Sequence, residues 1–179
     1  MPHTFIYTLS YKSPAGEMLL GSYKDQLCLA DWRYRKMRQR VDARLQAFLK
    51  TDFKPGDNEI LRNTAKQLDE YFHEGRRQFD VPLKLCGSDF QQKVWQQLLQ
   101  VPYGITETYL GLSRKLGDEK AIRAVASANG ANAISVMVPC HRIVGSDGSL
   151  TGYAGGLEAK RKLLRLEGVA LPGIQPVLF

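Results

Sequence analysis

The chain is short of cysteine, and what it has is scattered: Cys28, Cys86 and Cys140 form no paired spacing. An odd, dispersed set excludes a disulfide framework and points to a reducing compartment, with the cytoplasm expected. No apolar run is long enough to cross a membrane, and Met1-Pro2-His3-Thr4 lacks the basic and apolar blocks of a signal peptide. Zinc-finger spacing is absent as well. His3, Cys28 and His73 stand apart without a paired Cys motif, so no metal is expected, and no cofactor. Internal repeats and low-complexity tracts are missing. Acidic residues are the scarcer charge, 18 Asp+Glu against 25 Lys+Arg, and the net charge of +7 favours an acidic partner such as nucleic acid. The surplus does not locate a binding face. Up to Ser88 there are 15 basic and 11 acidic residues, and beyond it 10 and 7. The densest basic run is Arg33, Arg35, Lys36, Arg38 and Arg40, which reads first as a solvated turn and helix surface.

What is present sorts into an α+β chain of two domains, 1–87 and 88–179. Thr4–Tyr11, Met18–Tyr23 and Leu27–Trp32 read as strands, the first two separated by the turn Ser13-Pro14-Ala15-Gly16. Val41, Leu45, Phe48 and Leu49 fall at helical spacing. So do Ile60, Leu61, Ala65, Leu68 and Phe72, with Asp57 or Asn58 as cap and Gly75 as stop. Asp80–Gly87 looks extended and linker-like. The second domain is mostly helical. Ser88 or Asp89 caps a helix whose apolar face is Phe90, Val94, Trp95, Leu98 and Leu99, stopped by Val101-Pro102-Tyr103-Gly104. Leu110–Gly117 and Ala121–Asn129 are two short helices joined by a tight turn, the pattern of a helix-turn-helix. The second is rich in Ala and Ser, which suits close approach to a surface or burial in a core.

Chemistry concentrates at Pro139-Cys140-His141-Arg142. A thiol beside an imidazole is a ready nucleophile, because the base takes the thiol proton and the imidazolium stabilises the thiolate. The apolar run Ile134–Val138 before it reads as a buried strand that delivers Cys140 at its end. The residues alone leave three readings open: inert core cysteine, Cys–His hydrolase, and DNA-binding module.

Arg123-Ala124-Val125, Asn132, Pro139-Cys140-His141-Arg142, Gly152-Tyr153 and Leu163-Leu164-Arg165-Leu166-Glu167-Gly168 recur in an ordered set. With Phe90–Trp95 and Pro102-Tyr103-Gly104 they closely resemble the methylated-DNA–protein-cysteine methyltransferases, repair proteins that remove alkyl groups from O6 of guanine. The resemblance spans Phe90 to Gly168; the first domain matches only loosely, around Ser13–Gly16. It implies irreversible, one-turnover transfer of an alkyl group from O6-alkylguanine, and from O4-alkylthymine, to Cys140. His141 would be the base, through a water, and Glu167 would orient it. Tyr109 would offer its phenol to the base, and Asn132 would tie the helix-turn-helix to the active-site strand. The resemblance further implies base flipping from the minor groove, with Arg123 filling the vacated space and Ala124, Ala126 and Ser127 lying close to the DNA. Arg114, Lys115 and Lys120 are expected at phosphates. Met137, Val138, Tyr153 and Ala154 are expected in the pocket wall; Ala154 stands where the family often has Ser. The expected partner is double-stranded DNA carrying O6-alkylguanine, met by a monomer with no membrane attachment.

Overall fold

The structure is a computed structural model that describes residues 3–170. The chain divides into two compact units, Met1–Gly87 and Ser88–Phe179.

The first unit is a four-stranded sheet in the order β3-β2-β1-β4, with β1 Ile6–Ser13, β2 Gly16–Tyr23, β3 Gln26–Trp32 and β4 Phe53–Pro55. β1 and β2 pair antiparallel in register from Ile6 opposite Tyr23 to Ser13 opposite Gly16. Their tight turn is held by the Ser13 hydroxyl, which donates to Gly16 O at 2.6 Å and accepts from Ala15 N at 3.1 Å. β4 lies parallel to β1, which requires a crossover; α1 Arg38–Leu49 lies within it. β4 has only three residues, too few for an alternation to show in sequence. α2 Glu59–His73 packs Leu61, Leu68 and Tyr71 against Met18, Leu20, Leu29 and Trp32 of the sheet. Its cap is Asn58, whose side chain accepts from Leu61 N at 3.0 Å and donates to Ser22 Oγ at 2.8 Å.

Two expectations change here. Asp80–Gly87 is not a free linker: Leu27 N donates to Pro82 O and Lys84 N to Leu27 O, both at 2.8 Å, so the segment lies along the edge of β3. Its alternation is hidden because Pro82 supplies only a carbonyl to the ladder. The basic run after β3 divides: Arg33, Lys36 and Arg40 are exposed as expected, whereas Arg35 and Arg38 turn inward. Asp31, wholly buried, takes Arg35 at 3.1 Å and Arg38 at 2.8 Å, and Arg38 also holds Asp42 at 2.7 Å.

The second unit begins with α3 Asp89–Leu98, entered through a capping box in which the Ser88 and Gln91 side chains reciprocally bond each other's backbone N–H. α4 Tyr109–Lys115 is capped by Thr108. Gly117 follows at φ 86°, Asp118 caps a 3₁₀ turn over Glu119–Ala121, and α5 Ile122–Gly130 continues from it. α4 and α5 pack together as the helix-turn-helix, and α3 lies against α5. Trp95 Nε1 fixes this packing by donating to Ala128 O at 2.8 Å. Two short parallel strands, β5 Glu107–Thr108 and β6 Ile143–Val144, set the entry to α4 beside the segment that leaves Cys140. α6 Leu157–Leu166 closes the unit.

Ile134–Val138 is not a strand. Ser135–Met137 turn, Val136 sits at φ 73°, Met137 N donates to Ser135 O at 2.9 Å and Val138 N to Ile134 O at 3.0 Å. The segment is apolar because it is wholly buried, and a short buried run carries no periodicity that separates strand from turn.

Candidate active site

Cys140 opens a 3₁₀ turn, Cys140–Arg142, and is 3% exposed. The turn is nailed in place by Asn132. Its Nδ2 lies 2.8 Å from Val138 O, 3.3 Å from Ile134 O and 3.2 Å from Cys140 Sγ, while Oδ1 accepts from Ile134 N at 3.0 Å. One amide thus joins the end of the helix-turn-helix to the peptide that carries the thiol, and it places a donor on sulfur, where it favours the anionic form.

His141 is wholly buried and its Nε2 lies 2.6 Å from Glu167 Oε2. Burial pushes the imidazole pKa down, against the pull of Glu167. Burial alone would raise the Glu167 carboxyl, but His141 and Arg142 outweigh it and hold the acid well below its ordinary range. A neutral imidazole against a carboxylate must carry its proton on Nε2. Nδ1 then bears the lone pair, and it has no hydrogen-bond partner among the described residues. That is the tautomer a base requires.

Glu167 is bound on every side. Arg142 reaches it with Nε at 2.8 Å on Oε1 and Nη2 at 3.1 Å on Oε2, and spends Nη1 on Val101 O at 2.7 Å. Gly104 N donates to Oε1 at 3.2 Å. Gly104 has φ 78°, and a Cβ there would stand 3.0 Å from Glu167 O, so the Pro102-Tyr103-Gly104 turn is shaped to receive the carboxylate.

A cavity of about 370 Å³ opens onto the sulfur, lined by Tyr109, Ala126, Asn129, Cys140, Tyr153 and Ala154 together with Gly130, Thr151 and Gly152. The Thr151 hydroxyl donates to the Tyr109 phenol oxygen at 3.1 Å, which leaves the phenol proton for a ligand. Tyr153 and Ala154 therefore lie where the sequence places them. Met137 and Val138 do not line this cavity. Both are buried, and Val138 contributes the carbonyl that Asn132 holds.

On α5, Arg123, Ala124 and Ser127 are exposed, Ala126 is half-buried, and Val125 and Ala128 face the core. Beyond its first turn, where Ile122 and Arg123 are both exposed, the solvent face of the helix is small. Lys120 is exposed; Arg114 is exposed but pairs with Glu119 at 2.7 Å, and Lys115 with Glu107 at 2.8 Å.

Three residues carry more than the sequence suggested. Arg142 was part of the motif without a role. Lys160 reads as a surface lysine of α6, yet it is wholly buried, donating to Ile143 O at 2.6 Å and Thr151 O at 3.3 Å. Burial lowers its pKa to about 8, and negative charge on Cys140 works to raise it. By reciprocity the ammonium favours a thiolate at Cys140. Asn129 lines the cavity; only its place one helical turn after Ala126 marks it in sequence.

A helix-turn-helix fused to a buried thiol, with an imidazole and carboxylate relay behind it, defines a two-unit cysteine protein built to present sulfur at a DNA-binding face. The chain belongs to the methylated-DNA–protein-cysteine methyltransferase family. Residues 89–169 match the family described as 6-O-methylguanine DNA methyltransferase, DNA binding domain, and residues 6–85 its ribonuclease-like domain. The chain is 38% identical over 163 residues to the methylated-DNA–protein-cysteine methyltransferase of Methanosarcina acetivorans, covering 91% of this chain and 99% of that protein. It is 36% identical over 170 residues to the constitutive enzyme of Bacillus subtilis, covering 92% and 96%. The crystal structure of Mycobacterium tuberculosis OGT in complex with DNA superposes with a TM-score of 0.78 at 36% identity, covering 90% of this chain and 92% of that one.

Proposed function

We propose that this chain repairs DNA by moving an alkyl group from O6 of guanine to Cys140 Sγ, once per molecule. The observation that carries this reading is the seating of Sγ in a cavity between Tyr109 and α5, with Asn132 on the sulfur and a correctly polarised His141 behind it.

The steps balance. The thiol proton passes to His141 Nδ1, directly or through one water, and Glu167 stabilises the imidazolium. The thiolate displaces the alkyl carbon in line; a carbon–sulfur bond forms and the carbon–O6 bond breaks. Electrons from that bond settle on the guanine ring, where the Tyr109 phenol hydrogen-bonds as charge develops; the ring then takes up one proton and His141 releases the one it took, so guanine and imidazole both end neutral. The S-alkylcysteine formed is a thioether, inert to water, so transfer ends the protein's activity. The reacting base must leave the stack, at a cost of a few kcal/mol that is smallest for a poorly paired alkylguanine. The small residues Ala124 and Ser127 on the solvent face of α5 suit a minor groove, with Arg123 as the long cationic side chain that enters the vacated space. The same pocket admits O4-alkylthymine. The protein acts as a monomer, in the cytoplasm with the DNA it repairs.

Intact-protein mass after mixing with a duplex containing O6-methylguanine tests this. One methyl per molecule is expected, absent in Cys140→Ala and absent with undamaged DNA. Tight binding without a mass gain would instead make the chain a recognition module. Multi-angle scattering gives the oligomeric state.

A further inference from the structure

Asn129 is 6% exposed, lines the same cavity as Cys140, and its Oδ1 is buried with no hydrogen-bond partner among the described residues. Buried side-chain carbonyls are rarely left so, and one on a ligand cavity wall awaits a partner from the ligand. Its placement says which part of the ligand. Asn129 follows Ala126 by one helical turn and precedes by three residues Asn132, the amide that touches the sulfur. The wall near the sulfur is where the O6 substituent must lie, since its first carbon has to meet Sγ. Ala126 and Gly130 flank Asn129 with small side chains, leaving its amide as the only hydrogen-bonding side chain that α5 gives this wall.

We propose that Asn129 makes the pocket selective for O6 substituents that carry a hydroxyl over apolar substituents of the same size. This inference rests on the alkyl-transfer reading above and names the adduct class it favours, the O6-hydroxyalkylguanines. A hydroxyl donates to Oδ1 and accepts from the amide nitrogen. An apolar chain of equal length displaces solvent from the wall and leaves Oδ1 unpaired, and sites built to hydrogen-bond a ligand discriminate strongly against the analogue lacking the group. The reacting carbon is a CH₂ in both, so the difference lies in the pocket rather than in the bond broken.

The test compares single-turnover transfer to Cys140 from duplexes carrying O6-(2-hydroxyethyl)guanine and O6-propylguanine, with O6-methylguanine as reference. Wild type is expected to react roughly tenfold faster with the hydroxyethyl adduct. Asn129→Leu is expected to bring that ratio to one or below, and Asn129→Ala to move it the same way if the leucine variant folds poorly. A wild-type ratio at or below one overturns the inference, as does a ratio unchanged in a folded variant. No transfer from O6-methylguanine either would overturn the alkyl-transfer reading itself, and the inference with it.

Discussion

Four donors from three residues converge on the Glu167 carboxylate: Gly104 N, His141 Nε2 and both Nε and Nη2 of Arg142. Removing that charge strands a buried guanidinium. Glu167→Gln is therefore expected to destabilise the protein by about 3–5 kcal/mol in urea titrations, because an uncompensated buried charge costs far more than the pair contributes. Transfer should slow about a hundredfold as well, since the imidazolium loses its support. Lys160 carries a separable effect. Its ammonium is charged below about pH 8 and neutral above, so its help to the thiolate is lost as pH rises through that value. The ratio of wild-type to Lys160→Met transfer rates should be about ten below pH 7 and fall towards one above pH 8, as the ammonium is lost and the unassisted thiol of the variant ionises on its own. A ratio flat with pH would reduce Lys160 to a brace for Ile143 and Thr151. Cys140 and His141 were legible because a thiol beside an imidazole restricts residue type; Glu167 followed only from the family resemblance, since alone it reads as a solvated charge at a helix end. The sequence hid Lys160 and Asn129 because nothing local separates a buried lysine from a surface one in a helix as basic as Lys160-Arg161-Lys162.

α5 is an element whose solvent face breaks the usual rule. Exposed helix positions normally carry charge, whereas Ala124 and Ser127 leave the backbone close to whatever approaches and Arg123 is the one charged side chain of the helix. Arg123→Ala is expected to slow reaction with duplex more than with single-stranded substrate, where no gap needs filling. It should also reduce the slope of log affinity against log salt by about one, measured by fluorescence anisotropy. Elements of this kind were legible in advance. β1 to β3 showed alternation, α2 and α3 showed helical spacing with caps, and the two short helices were bounded by Thr108, Gly117 and Asp118. The misreadings have one physical origin. Burial on all sides erases periodicity, so Ile134–Val138 passed for a strand although Val136 turns the chain at φ 73°. β5 and β6, with two residues each, are made by tertiary pairing and leave no trace in local sequence.

At the scale of the whole molecule, each unit has its own core and its own buried tryptophan, Trp32 in the first and Trp95 in the second. Leu68 is fully buried under the first sheet. Leu68→Ala should cost about 2–5 kcal/mol in the unfolding reported by Trp32 in a Trp95→Phe background. The transition reported by Trp95 in a Trp32→Phe background should shift less. Equal shifts would mean that the units unfold as one. The family match reflects the same division, 6–85 and 89–169. Finally, the sulfur at 3% exposure bears on shelf life. A reagent that works once is wasted by any stray electrophile, whether peroxide, quinone or glutathione disulfide. Set inside its cavity beside Asn132 and the 151–154 segment, Cys140 is kept from reagents larger than a base, such as glutathione disulfide, until a flipped base carries the group to it.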